Sequence, residues 1–213
     1  TIDGEDKEVV INGRPSSYYR RIFQVESGGS LTVENLILER GAPAIESLGA
    51  LTVLSSTFRF NGVRAIKHQS NDALIIRDST FHHSFTYGEH QGGAIYIEGS
   101  GTATISRSLF RNNIVRTAGG AIYNNGAALT VENSTFTNNT TNNVQDGGAG
   151  AIYLNSGAAE IIHTTFSGND TKAHSTKPAY TADIHHQASE PLLLANNILA
   201  VSYTHLRAHE TEL

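Results

Sequence analysis

The chain has 213 residues, of which 38% are hydrophobic and 16% charged, with a formal net charge of −5 and no cysteine, methionine or tryptophan. That length allows one domain or one long solenoid segment, the lack of cysteine excludes disulfides and thiolate metal sites, and the acidic balance argues against nucleic acid, which calls for a basic stripe. No apolar run reaches the length of a membrane span and no signal-like segment is visible, so a membrane is expected only through missing flanking domains. Without methionine, the chain reads as a fragment truncated at both ends.

From Leu31 onward one pattern recurs. Each unit holds two apolar residues two apart, then a large apolar residue five further on: Leu31/Val33 with Leu38, Leu51/Val53 with Phe58, and Leu74/Ile76 with Phe81. Ala103/Ile105 with Phe110, Leu129/Val131 with Phe136, Ala159/Ile161 with Phe166, and Leu193 with Ile198 continue it. A pair two apart shares one face of a strand. A step of five would reverse the face of a straight strand, so a corner is expected between them, and turn formers such as Leu54-Ser55-Ser56, Arg77-Asp78-Ser79 and Glu132-Asn133-Ser134 stand there. A third inward point follows at Ile45, Ile66, Ile95, Ile122, Ile152 and Ile184, preceded in the first five by alanine. Gly92-Gly93 and Gly119-Gly120 stand just before, where close backbone approach and positive φ mark a tight entry into a strand.

Three short strands per unit, with corners between, describe a coil, and about seven stacked coils bury together what no coil buries alone. The expected fold is all-β: a single-stranded parallel β-helix over residues 1–200. Asn61, Asn113, Asn139 and Asn169 each lie three after a phenylalanine. They are expected to stack at one corner as an inward or edge-on amide ladder, since asparagine tolerates unusual backbone angles and bonds nearby backbone groups. Phe58, Phe81, Phe110, Phe136 and Phe166 are expected to be structural like them.

The paired signals "GGAI" (Gly92 to Ile95, Gly119 to Ile122) and "FxxN" ("FRFN", "FRNN", "FTNN" and "FSGN" from Phe58, Phe110, Phe136 and Phe166) resemble the repeats of polymorphic outer-membrane proteins, bacterial autotransporters with β-helical passengers. "FHHS" at Phe81 and "LERG" at Leu38 depart from the pattern. The resemblance implies a right-handed, pectin-lyase-like solenoid at an extracellular or bacterial outer-surface location. The tail "VSYTHLRAHET", Val201 to Thr211, resembles a translated sequencing adaptor, so residues 201–213 are expected to be non-native.

The connection from the post-corner residue to the next Ala-Ile strand is short from Leu38 to Ile45 and from Phe58 to Ile66. It is much longer from Phe81 to Ile95, Phe110 to Ile122, Phe136 to Ile152 and Phe166 to Ile184. Insertions at one corner of successive coils project on one side of a solenoid and often form its binding face. They carry the candidate ligand-binding residues Tyr87, Glu89, His90, Arg116, Asp146, Asp170, Lys172 and Tyr180, whose rings and carboxylates suit contact with glycans or surface proteins. His82-His83 and His185-His186 read as exposed polar positions, since neighbours in a strand point to opposite faces and cannot chelate from one face without a bend, although His90 lies in a loop that could approach His82 or His83. No metal ligand set and no cofactor is expected.

Glycoside hydrolysis needs two carboxylates at a set separation. Lyase action on acidic polysaccharides needs a Ca²⁺ site and a base. Neither paired carboxylates nor a carboxylate cluster is written into any coil. The expected function is therefore a non-catalytic adhesion, display or stalk segment; the alternative is a polysaccharide lyase or glycoside hydrolase, the one case in which Ca²⁺ would enter.

Overall fold

A computed structural model of the chain describes residues 1–5, 7–13, 20–86, 88, 90–144, 148–173 and 183–200. Within them the chain winds through short parallel strands that form two eight-stranded sheets, one seven-stranded sheet and one four-stranded sheet. In each sheet the neighbours come from successive coils, so the fold is a parallel β-helix.

The first sheet contains Ser30–Glu34, Ala50–Leu54, Leu74–Arg77, Thr102–Ser106 and Ala128–Glu132, with Ala159–Ile162 and Leu192–Ala195 at its end. Leu51, Leu74, Ala103 and Leu129 are register partners, as are Val53, Ile76, Ile105 and Val131. All eight are at most 1% exposed. The inward pairs thus sit on one another coil after coil, the arrangement a period of two permits.

The corner after each of these strands is turned by one residue in the left-handed region: Asn35, Ser55, Asp78, Arg107, Asn133, His163 and Asn196. That conformation costs a non-glycine residue roughly 1–2 kcal/mol. The cost is offset because the corner N–H still bonds the next coil, as in Ser55 N–H to Arg77 O (3.1 Å) and Asp78 N–H to Ser106 O (3.2 Å). The following residue turns inward and makes a hydroxyl ladder. Ser56 N–H donates to Ser79 Oγ, Ser79 N–H to Ser108 Oγ and Ser108 N–H to Ser134 Oγ, each at 3.2 Å. Each of these hydroxyls in turn donates two residues back, to Leu54 O, Arg77 O, Ser106 O and Glu132 O.

The second sheet carries the phenylalanines on Thr57–Arg59, Thr80–His82, Leu109–Arg111, Thr135–Thr137 and Thr165–Ser167. Phe58, Phe81, Phe110, Phe136 and Phe166 are wholly buried and stack with centroids 4.7, 4.9, 4.7 and 5.1 Å apart. Leu38 continues the stack at one end and Leu199 at the other.

The next corner corrects one expectation. Its left-handed residue is not the laddered asparagine but the residue before it: Phe60, His83, Asn112 and Asn138. Asn61, Asn113, Asn139 and Asn169 form the inward ladder, at most 2% exposed, and bond the neighbouring coils. Their role is hydrogen bonding, and the strained angle falls to whatever residue precedes them, even a phenylalanine.

Four of the connections expected as loops begin as strands. Phe85–Thr86, Ile114–Val115, Thr140–Val144 and Asp170–Ala173 pair in parallel as a fourth sheet. The third sheet follows: Phe23–Val25, Ile45–Ser47, Ile66–Gln69, Ile95–Glu98, Ile122–Asn125, Ile152–Ser156 and Ile184–His186. Ile45, Ile66, Ile95, Ile122, Ile152 and Ile184 point into the core. At its entry Gly119 has φ +70°, and a Cβ on Gly120 would stand 1.9 Å from Gly150 O. Gly92 and Gly93 repeat both features one coil earlier, with φ +71° and a contact of 2.0 Å to Gly120 O. These glycines are fixed by backbone approach.

The last coil is one residue out of the expected register. Leu192 and Leu194, not Leu193, continue the inward columns of Ala159 and Ile161, and Leu199, not Ile198, lies beneath Phe166. Leu193 and Ile198 are 52% and 60% exposed. The run Leu192-Leu193-Leu194 has no polar alternation, so composition cannot fix its face; the same five-residue step, from Leu194 to Leu199, does.

Candidate functional site

The inserted corner adjoins the outer face of the third sheet. Gln24, Glu46, Lys67, Tyr96, Tyr123, Tyr153 and His185 are successive register partners there. They alternate with the inward isoleucines and so face outward. The column divides in two. At one end Glu46 binds Lys67 Nζ at 2.9 Å and also pairs with Arg21. At the other, Tyr96, Tyr123, Tyr153 and His185 stack with centroids 5.6, 5.3 and 4.6 Å apart and planes within 12° of parallel.

Rings stacked along the axis cover one another's faces. Arg64, 4% exposed, closes the first face, its guanidinium 4.9 Å from the Tyr96 centroid. His185 closes the last. The tyrosines therefore offer ring edges and hydroxyls. Burial raises the pKa of all three phenols, with the Glu98 charge adding to the effect at Tyr96 and Tyr123, so they stay protonated donors at neutral pH. Tyr153 already donates its hydroxyl to Gln187 Oε1. Ala118 and Ala149, from the inserted connections, pack with Tyr153 and Tyr123 and wall one side of the row.

Cations gather where the row meets the ionic end. Burial lowers the Arg64 pKa to about 10, against the opposing influence of Tyr96. Burial and then the Arg64 charge lower Lys67, and burial, Arg64 and Lys67 lower the exposed His90. His90 is held through its carbonyl, which accepts the Thr117 hydroxyl at 2.7 Å. Arg116 and Lys172 are exposed and Asp170 is half-buried at the start of its strand. Asp170 and Lys172 are partners of Thr140 and Asn142 in the fourth sheet. Tyr87, Glu89, Asp146 and Tyr180 lie outside the described residues.

A shallow cleft of about 420 Å³ lies at the corner from the third to the first sheet, lined by Gln69, Ser70, Asn71, Asp72 and Glu98 among others. Its polar groups are largely spent on one another: Gln69 Nε2 donates to Glu98 Oε2 at 2.6 Å, and Asn71 Oδ1 accepts the Ser100 N–H at 2.8 Å. Elsewhere carboxylates tie coil to coil, as Glu39 does with Arg59 (2.8 Å) and Asp78 with Arg107 (2.7 Å). Among the described residues no three His, Asp or Glu side chains are placed to hold a metal ion.

The histidines depart from their expected places. His83 occupies the left-handed corner with φ +54°, which swings its ring toward that of His82, so the two Nδ1 atoms are 2.8 Å apart. His186 continues an inward column with Leu154, and its Nε2 lies 2.9 Å from Glu190 O. His185 belongs to the aromatic row. That row was readable only from "AIY" at Tyr96, Tyr123 and Tyr153, one outward step after each core isoleucine.

A family model for right-handed beta helix regions matches residues 41–199, and the chain belongs to that family. The solenoid is thus a right-handed parallel β-helix. Neither the curated proteins nor the solved structures gave a match to the chain.

Proposed function

We propose that the chain is a non-catalytic β-helix segment of a bacterial cell-surface or secreted protein, serving adhesion or display or acting as a stalk, and that its inserted corner contacts carbohydrate. The observation that carries this reading is the row of phenol hydroxyls along the third sheet, repeated coil by coil and walled by the inserted connections. A repeating polymer suits a repeating row of ring edges, one per coil, in which Tyr153 already gives its hydroxyl to Gln187 and the half-buried Tyr123 presents its own. The carboxylates support a non-catalytic role by where they are used: Glu39, Glu46, Asp78 and Glu98 are engaged with neighbouring coils. The "GGAI" and "FxxN" repeats favour an autotransporter passenger of the polymorphic outer-membrane type, with any membrane anchor in flanking domains.

A glycan array on residues 1–200, with and without Ca²⁺, followed by product analysis of every bound polysaccharide, tests this. The expected result is binding without cleavage that weakens on Arg116→Ala or Tyr87→Ala. Cleavage products, or binding only with Ca²⁺, would replace the reading with a lyase or hydrolase on the same scaffold.

A further inference from the structure

The outward column of the second sheet gathers cations on a chain whose net charge is −5. Arg59, His82 and Arg111 are register partners on three adjacent strands. Each follows an inward phenylalanine and therefore points outward. Adjacent strands lie about 4.8 Å apart, so the three heads stand in a row. His83 joins them from the corner, its Nδ1 2.8 Å from that of His82. Beside the row stand Asn112, whose amide nitrogen is 3.4 Å from His83 Nε2, and the 46% exposed Phe60, its ring centroid 5.4 Å from His83 and 5.8 Å from His82. The carboxylate on this column, Glu39, is occupied: it accepts from Arg59 at 2.8 Å and from Asn12 at 2.9 Å.

Arg59 thus has its counter-charge in Glu39, while among the described residues Arg111 is in no ion pair. Burial, and after it Arg111, His83 and Arg59, push the His82 pKa down to about 4. The groups that face His82 from the strands on either side are thus guanidiniums, with the His83 ring at its own corner, and Glu39 is a further strand away. Two imidazole nitrogens this close would also suit a transition-metal ion, but the guanidinium groups on both sides repel one.

We propose that Arg59, His82, His83 and Arg111 form a site for an oxyanion, a sulfate or phosphate group, with Phe60 beside it to meet the carbon skeleton that carries the group. The guanidiniums supply paired N–H donors, which suit such oxygens. His82 takes one proton from solvent as the anion arrives, so binding tightens as pH falls. The site is on a different face from the tyrosine row and does not depend on it.

The test follows the histidine ring signals by NMR from neutral pH down to about 4, with sodium sulfate against sodium chloride at equal ionic strength. Sulfate is expected to raise the His82 midpoint by about one unit, equivalent to tenfold tighter binding to the protonated form. Arg111→Gln, a change at a half-buried outward position that leaves the amide spectrum of the folded chain in place, is expected to abolish the difference. An equal midpoint in both salts, or a difference that survives Arg111→Gln, would reduce the cluster to ordinary screening and overturn the site. So would Zn²⁺ perturbing both rings where sulfate does not. Glucose 6-sulfate separates the two sources of the anion. Tighter binding than free sulfate, lost on Phe60→Ala, assigns the site to a sugar ester; equal binding assigns it to the free ion, and either upholds it.

Discussion

Asn113 donates through Nδ2 to the Oδ1 of Asn139 at 2.9 Å, and that same oxygen accepts the Asn113 backbone N–H at 3.1 Å. Asn139 repeats both bonds to Asn169 at 2.9 and 3.0 Å. Each amide also reaches back to the carbonyl of the previous coil's phenylalanine: Asn113 to Phe81 O, Asn139 to Phe110 O and Asn169 to Phe136 O, all at 3.0 Å. One rung is broken. Ser84 holds the ladder position in its coil, and its buried hydroxyl has no partner among the described residues. Ser84→Asn is expected to complete the ladder, accepting the Asn61 N–H and donating to Phe58 O, and to stabilise by about 1 kcal/mol. Asn139→Ala should cost about 3 kcal/mol or more, because it orphans the Asn113 N–H and the Phe110 carbonyl in the core. Thermal melts of the two variants decide the matter; a lower melting point for Ser84→Asn would mean that the corner cannot admit the larger amide.

The phenylalanine stack sets a second expectation. Phe110 lies between Phe81 and Phe136 with planes within 5° of parallel and no exposure. Truncation to alanine opens a cavity between two rings and should cost about 3–5 kcal/mol. Phe110→Leu, which restores much of the volume and has a precedent in Leu38 at the end of the same stack, should cost clearly less. Phe110→Asp buries a charge with no partner and should abolish cooperative unfolding. A cooperative urea transition for Phe110→Asp, near the midpoint of the parent, would show that the ring is not at the centre of the stack.

The contrast between these positions explains what the sequence disclosed. Inward columns are legible because a buried strand must repeat an apolar residue at the same place in every coil; Leu51, Leu74, Ala103 and Leu129 could be aligned by eye. Corners were half legible. Serine and asparagine announced a turn, but which residue takes the positive φ depends on backbone geometry that admits Phe60 and Arg107 as readily as asparagine. The fourth sheet was hidden because Phe85–Thr86 and Ile114–Val115 are too short to show a period. The tyrosine row was hidden for a different reason. Outward residues do not have to repeat for the fold to form, so a repeat at Tyr96, Tyr123 and Tyr153 carries information only once the strand register is known. Of the insertion residues, His90 comes near a built environment, beside Arg64 and Lys67.

Acid should weaken the fold through its histidines. His68 is 2% exposed, with Nε2 3.1 Å from Asp72 O and Nδ1 without a partner among the described residues, and burial lowers its pKa. The unfolded chain takes up a proton near its ordinary value of about 6.5, while the folded chain resists. The stabilising contribution is therefore complete above about pH 6.5 and lost as pH falls below it. His82 extends the same loss down to about 4. Urea midpoints are expected to fall steadily between about pH 7 and pH 5. His68→Gln, which keeps a donor for the Asp72 carbonyl but does not titrate, should flatten the upper part of that fall. A parent midpoint that does not change over this range would mean that His68 charges freely in the folded state.

The tyrosine row separates binding from stability. Tyr123 is stacked on both faces, by Tyr96 and Tyr153, and is half-buried. Tyr123→Phe keeps both stacking contacts and the ring's apolar area and removes the hydroxyl alone, so stability should change by less than about 0.5 kcal/mol. Tyr123→Ser removes the ring and interrupts the row in its middle. It forfeits two stacked pairs, each worth about 0.5–1.5 kcal/mol beyond the area they bury, and should lower stability measurably. If the row serves a glycan through its hydroxyls, Tyr123→Phe will weaken binding on the array as much as Tyr123→Ser does, although only the serine variant melts early. If the row serves the fold alone, Tyr123→Phe will be silent in both measurements, and carbohydrate contact will have to be sought on the inserted connections. The two substitutions together decide the point, because binding lost without stability lost can arise only from the hydroxyl edge that faces solvent.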